Sequence, residues 1–124
     1  MVHLLKNFYS ILDLNTNGTH VDAKILLNVQ HEIYKGHFPE VPVVPGVCQM
    51  QVVKEVLSDV LKKELTLIAA DNMKFMAVIN PEINSELLVT IDYKYTVENF
   101  VRITASIHHS GVVFFKYSGN FLEV

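Results

Sequence analysis

The sequence predicts an α+β domain in which an antiparallel sheet wraps one long central helix. Three observations predict it. A single stretch, about Gly46 to Lys63, carries a strong helical period. Segments on both sides alternate apolar and polar residues with the period of strands. Between the first two strands and the helix lies "HEIYKGHFPEVPVVP", whose prolines exclude regular structure.

The first segment, "FYSILDLNTNGTHVDAKILLNV", reads as two strands around an Asn-Thr-Asn-Gly turn, because Asn and Gly tolerate left-handed backbone. The proline stretch then leads into the helix as an ordered loop. At 100° per residue, Met50, Val53, Val56, Leu57, Val60 and Leu61 form one apolar arc of that helix. Gln51, Lys54, Glu55, Ser58, Asp59 and Lys62 share the opposite, polar arc. Four strand-like segments follow, and their order predicts a four-stranded meander. "ELTLIAADNMKFMAVI" comes first. "SELLVTIDYKYTV" places Leu87, Val89, Ile91, Tyr93 and Tyr95 on one face. "FVRITASIHH" alternates through Val101, Ile103, Ala105 and Ile107, and His108-His109-Ser110-Gly111 turns into "VVFFKYSGNFLEV".

The 124 residues make one domain spanning 1–124, half apolar and one-fifth charged, which is globular composition. A net charge of −3 with scattered Lys and Arg predicts no nucleic-acid partner. Cys48 is the single cysteine, so no internal disulfide is expected, and no stretch approaches eighteen apolar residues. With no leader-like start, the expectation is a cytoplasmic protein without a membrane span. Cys48, at the helix start, reads as a small buried residue rather than a reactive thiol. Neighbouring strand residues point to opposite faces, so His108 and His109 cannot chelate together, and neither a metal nor another cofactor is expected. His3, His20 and His31 read as surface residues.

The loop and the helix start, "YKGHFPEVPVVPGVCQMQ", resemble the signature of 3-hydroxyacyl-acyl-carrier-protein dehydratases of the FabZ/FabA type, which have the hot-dog fold. Gly36, His37, Phe38, Pro39, Pro42, Pro45 and Gly46 match the family's GHFPxxPxxPG loop at the right spacing. More loosely, the resemblance runs over nearly the whole chain. It implies elimination of water from a 3-hydroxyacyl thioester on acyl carrier protein, in fatty-acid or related lipid or polyene biosynthesis. By that resemblance His37 is the base, and the Gly46 N–H stabilises the oxyanion at the helix N-terminus. Tyr34, Phe38, Pro45 and Val47 are expected to line the acyl entrance, with plain packing as the alternative for Tyr34 and Phe38. The resemblance also implies a homodimer or higher homo-oligomer, since pairing removes exposed sheet edges.

The family's acid, fourteen residues after the histidine, falls on Gln51. A primary amide delivers no proton, although its NH₂ can hold the leaving oxygen. Three explanations stand. Glu55, one turn on and about 6 Å away on the same face, takes the acid's role; against this stands a solvated carboxylate beside Lys54, the favoured reading. A Glu- or Asp-bearing paralogue completes the site in a heterodimer. Or the chain binds acyl thioesters without dehydrating them, a thioesterase being the weaker form of this reading.

Overall fold

The computed structural model describes residues 6–36 and 41–124. Strands β1 (Tyr9–Asn17) and β2 (His20–Leu27) are followed by a short helix α1 (Ile33–Gly36) and the long helix α2 (Gly46–Leu61). Strands β3 (Leu65–Phe75), β4 (Glu86–Val97), β5 (Phe100–His109) and β6 (Val112–Glu123) complete the chain. They form one antiparallel six-stranded sheet in the order β1-β2-β4-β5-β6-β3, giving the expected α+β hot-dog architecture. Among the described residues, no helix is long and apolar enough to cross a membrane.

Turn chemistry sets the hairpins, in places other than expected. β1 pairs through Asn17↔His20, so the first turn is Gly18-Thr19, with Gly18 at φ +60°. Asn15 to Asn17, expected in the turn, are strand residues. His108 and His109 likewise end β5 rather than forming a turn. The two-residue turn is Ser110-Gly111, both at positive φ, which matches the right-handed twist of the flanking strands. α2 ends two residues earlier than predicted, where Lys62 adopts the left-handed conformation and donates its N–H to the Ser58 carbonyl.

The predicted four-stranded meander holds only for β4, β5 and β6. β3 instead crosses to the far edge and pairs with β6 from Leu65↔Glu123 to Phe75↔Phe115. Its sequence lacks clean alternation, and it is bulged at Leu67/Ala69 and at Ala70/Asn72, as suits an edge strand. A two-pronged ion pair from Arg102 of β5 to Asp71 (2.9 and 2.7 Å) spans β6 and fixes that docking.

With an edge on each side, the sheet curls around α2 and buries more of it than one apolar arc. Cys48, Gln49, Val52, Val53, Glu55, Val56, Leu57 and Ser58 are all buried. Glu55 and Ser58, on the polar arc, are buried as well, and Tyr9 of β1 reaches Glu55. The strands contribute Val21, Ala23 and Ile25, then Leu87, Val89 and Ile91, then Val101, Ile103, Ala105 and Ile107, in the alternation the sequence predicts. Beyond Ile91 the alternation in β4 no longer means burial: Tyr93 is half-buried and Tyr95 exposed.

The histidines expected at the surface are more engaged than that reading implies. His31 accepts from the Ile33 N–H (3.1 Å), and its other ring nitrogen meets the Lys6 carbonyl (2.9 Å), with Phe8 against its edge. His20 bridges Asp92 (2.7 Å) and Asp22 (3.0 Å). His3 lies outside the described residues.

Gly119 of β6 runs so close to the bulged β3 that a Cβ there would lie 2.7 Å from the Ala69 carbonyl oxygen, a backbone atom that cannot swing aside. Gly119→Ala is expected to destabilise the fold by about 1–3 kcal/mol in chemical denaturation. The hydrogen bond to Asp92, reinforced by Asp22, raises the His20 pKa above its ordinary value of 6.5. Its stabilising contribution is therefore complete below the unfolded-state value and is lost as pH rises through the folded one. The gap in denaturation midpoint between the native chain and His20→Gln should narrow from pH 5 to pH 8; a gap that widens would contradict the assignment.

Candidate active site

The amino end of α2 has the character of an anion-stabilising site. Pro45 precedes it in extended geometry (φ −61°, ψ 148°), with no side-chain cap and no acidic residue in the first turn. The Cys48 and Gln49 N–H groups bond the Pro45 carbonyl, at 3.0 and 3.2 Å. Helix geometry leaves the Gly46 and Val47 N–H groups without intrahelical acceptors, at the positive end of the helix dipole. Directly above Gly46 lies the ring of Phe75: a Cβ at that position would stand 2.7 Å from Phe75 Cζ. Phe75 in turn stacks on Phe115, with centroids 4.6 Å apart. Gly46 and Phe75 share an open cleft of about 450 Å³ with Val43, Val44, Gln49 and Met76.

Gln51 is half-buried one turn further along α2. It lines a second cleft, of about 200 Å³, with Val47, Met50, Lys54, Leu67, Tyr117 and Phe121. The single chain thus brings Val47 and Gln51 together, while Gly46 faces the neighbouring cleft. Val47 is largely exposed, and Pro45 is half-buried.

Glu55 corrects the favoured expectation of a solvated carboxylate beside Lys54. It is only 2% exposed. Its Oε1 accepts from the Tyr9 hydroxyl (3.1 Å) and its Oε2 from the Gln51 Nε2 (2.9 Å). A carboxylate removed from water needs such donors, because unpaired burial costs several kcal/mol. Gln51 and Glu55 are therefore in direct contact, but the Gln51 NH₂ that was to hold a leaving oxygen is engaged with Glu55. Burial first, then the neighbouring carboxylate, pushes the Tyr9 phenol far above its ordinary pKa, so it stays protonated and donates.

His37 and Phe38 lie outside the described residues. Tyr34, expected at an acyl entrance, is buried against Phe8 with ring centroids 5.9 Å apart. Its edge reaches a cleft lined by His31, Lys35 and Pro42, and its hydroxyl has no hydrogen-bond partner among the described residues. Cys48 is buried as expected, and burial raises its thiol pKa instead of the helix N-terminus lowering it. No cluster of potential metal ligands occurs among the described residues.

Sequence reasoning passed over Tyr9, Gln49 and Phe75. A tyrosine opening an amphipathic strand signals only that its hydroxyl needs a partner if buried. That the partner lies 46 residues away is decided by the curl of the sheet. Gln49 is buried, and its Nε2 bonds the Val44 carbonyl (3.3 Å). At 100° per residue it falls inside the apolar arc, between Val56 and Val60, and only its polar side chain kept it out of the predicted core.

Solved structures share this architecture. One is the dehydratase heterocomplex ApeI:P from Xenorhabdus doucetiae, at 16% identity and TM-score 0.74, covering 91% of this chain and 96% of that one. A hypothetical thioesterase with coenzyme A from Streptococcus pneumoniae is similar at 8% identity and TM-score 0.70, covering 98% and 91%. A thioesterase mutant from Staphylococcus aureus is similar at 13% identity and TM-score 0.68, covering 98% of each chain. At these identities the likeness shows the fold. Among curated proteins, none matches the chain. The family model for ApeI-like proteins, described as ApeI dehydratase, matches residues 13–112. That match spans β2 to β5 with the proline loop and the whole of α2, and by it the chain belongs to the ApeI-like dehydratase family.

Proposed function

We propose that this chain eliminates water from a 3-hydroxyacyl thioester carried on acyl carrier protein. One observation carries the reading: the GHFPxxPxxPG loop runs directly into an uncapped helix N-terminus that opens with Gly46. In the proposed reaction His37 removes the α-proton, and the electron pair moves onto the thioester carbonyl, where the Gly46 N–H stabilises the developing charge. Return of that pair forms the α,β double bond and expels the 3-hydroxyl, which leaves as water after protonation. Pro45 and Val47, beside Gly46, would guide the acyl chain. Tyr34 and Phe38 would line its entrance.

The acid step separates two readings. In the first, the chain acts as a homodimer or higher homo-oligomer, with Gln51 holding the hydroxyl and Glu55 as the proton source. In the second, it supplies His37 to a composite site whose acid comes from a Glu- or Asp-bearing paralogue. The engagement of the Gln51 NH₂ by Glu55 favours the second, and the existence of a related dehydratase heterocomplex accords with it. Either assembly has a surface to use: β3 is a sheet edge bearing exposed Ile68, Met73 and Phe75.

A dehydration assay with a short 3-hydroxyacyl-carrier substrate tests this. His37→Ala should abolish turnover, and Gln51→Glu should raise the homomeric rate by about 10²- to 10⁴-fold, the usual contribution of a general acid. Activity that appears only with the paralogue, and is lost with His37→Ala, would select the composite site. Undiminished turnover by His37→Ala, or release of free carrier thiol in place of an unsaturated acyl product, would sink the dehydratase reading.

A further inference from the structure

We propose that the Tyr117 hydroxyl is the proton donor that position 51 lacks: it protonates the departing oxygen of a substrate seated in the cleft beside Gln51. The inference rests on the dehydratase reading above and gives the homomeric form an acid other than Glu55.

The residues of that cleft leave few sources for the proton. Gln51 delivers none. Glu55 is buried and already receives the Tyr9 hydroxyl and the Gln51 amide. Among the residues lining the cleft, only Lys54 on α2 and Tyr117 on β6 carry a proton bound to a titratable atom. Lys54 is half-buried on a flexible stem. Tyr117 is 2% exposed, and its ring is held between Phe115 and Phe121, with centroids 5.5 and 6.5 Å away. Its hydroxyl makes no hydrogen bond among the described residues, and burial alone shifts its pKa. Nor is it enclosed, as the Tyr34 hydroxyl and Gln49 Oε1 are, so it opens on the cleft. A buried hydroxyl kept without a protein partner calls for a reason, and a reacting oxygen that becomes its partner supplies one.

The step balances. His37 takes the α-proton, the α,β double bond forms, and the C3–O bond breaks with its electron pair on oxygen. That oxygen takes the Tyr117 proton and leaves as water. The imidazolium of His37 then returns a proton to solvent, and the Tyr117 phenolate takes one up, which restores the enzyme. Burial pushes the phenol up from its ordinary pKa, so it holds its proton until a stronger base, the departing oxygen, arrives. Lys54 has no ion pair among the described residues, and its charge beside the same cleft offsets that of the phenolate.

Dependence on the leaving group tests this. A 3-hydroxyacyl-carrier substrate needs an acid, whereas its 3-fluoro counterpart expels fluoride without one. On the full chain, Tyr117→Phe should lower the ratio of 3-hydroxy to 3-fluoro elimination rates by about 10²-fold or more. A merely structural defect would lower both rates together and leave the ratio alone. Because the lost hydroxyl has no partner, Tyr117→Phe should also keep or raise the midpoint of chemical denaturation. Lys54→Met should lower the ratio less than Tyr117→Phe does. An unchanged ratio in Tyr117→Phe overturns the inference, as does a loss of stability or a failure to fold in that variant. A ratio that falls more in Lys54→Met assigns the proton to Lys54 and overturns it as well. Activity that appears only with a paralogue overturns the inference and leaves the dehydratase reading standing. A native chain that turns over neither substrate, alone or with the paralogue, overturns both.

Discussion

One helix must be covered by one sheet, and the rest of the structure depends on that constraint. A six-stranded sheet has enough width to curl around α2, but only if a strand stands at each edge to close the wrap. β1 and β3 do this, on opposite edges. The helix then has little face to give to solvent, and its central polar residues must find partners inside the protein. Glu55 finds Tyr9 and Gln51, and the Gln49 amide finds the Val44 carbonyl.

The same constraint explains where chemistry can occur. A helix wrapped along its length remains approachable mainly at its amino end, where the proline loop delivers the chain. There Pro45 leaves the first N–H groups uncapped, and Gly46 has no side chain to hold Phe75 off. The aromatic stack of Phe75 on Phe115 links this end to β6, so the cleft beside Gly46 is built from the edge strand and its neighbour. Edge strand and candidate cleft are thereby one region.

The amide at position 51 is half-buried beside the Glu55 side chain one turn on. An amide carries both donor and acceptor, and its direction is set by whatever it touches. Here it touches a buried carboxylate, which can only receive. The Gln51 amide and the Tyr9 hydroxyl thus both donate to the buried Glu55 side chain.

The sequence by itself determined the class of fold, the position of α2, the alternating core faces of β2, β4 and β5, and the loop that resembles a dehydratase. These follow from local periodicity and from the backbone restrictions of Pro and Gly, which act over a few residues. Tertiary structure alone decided that β3 leaves the meander for the far edge, that the polar arc of α2 is half covered, and that Glu55 is a buried acceptor. Each of those depends on contacts between residues distant in sequence. Tyr9 and Glu55 are separated by a hairpin, a loop and half a helix, and no local pattern encodes that the sheet will curl far enough to join them.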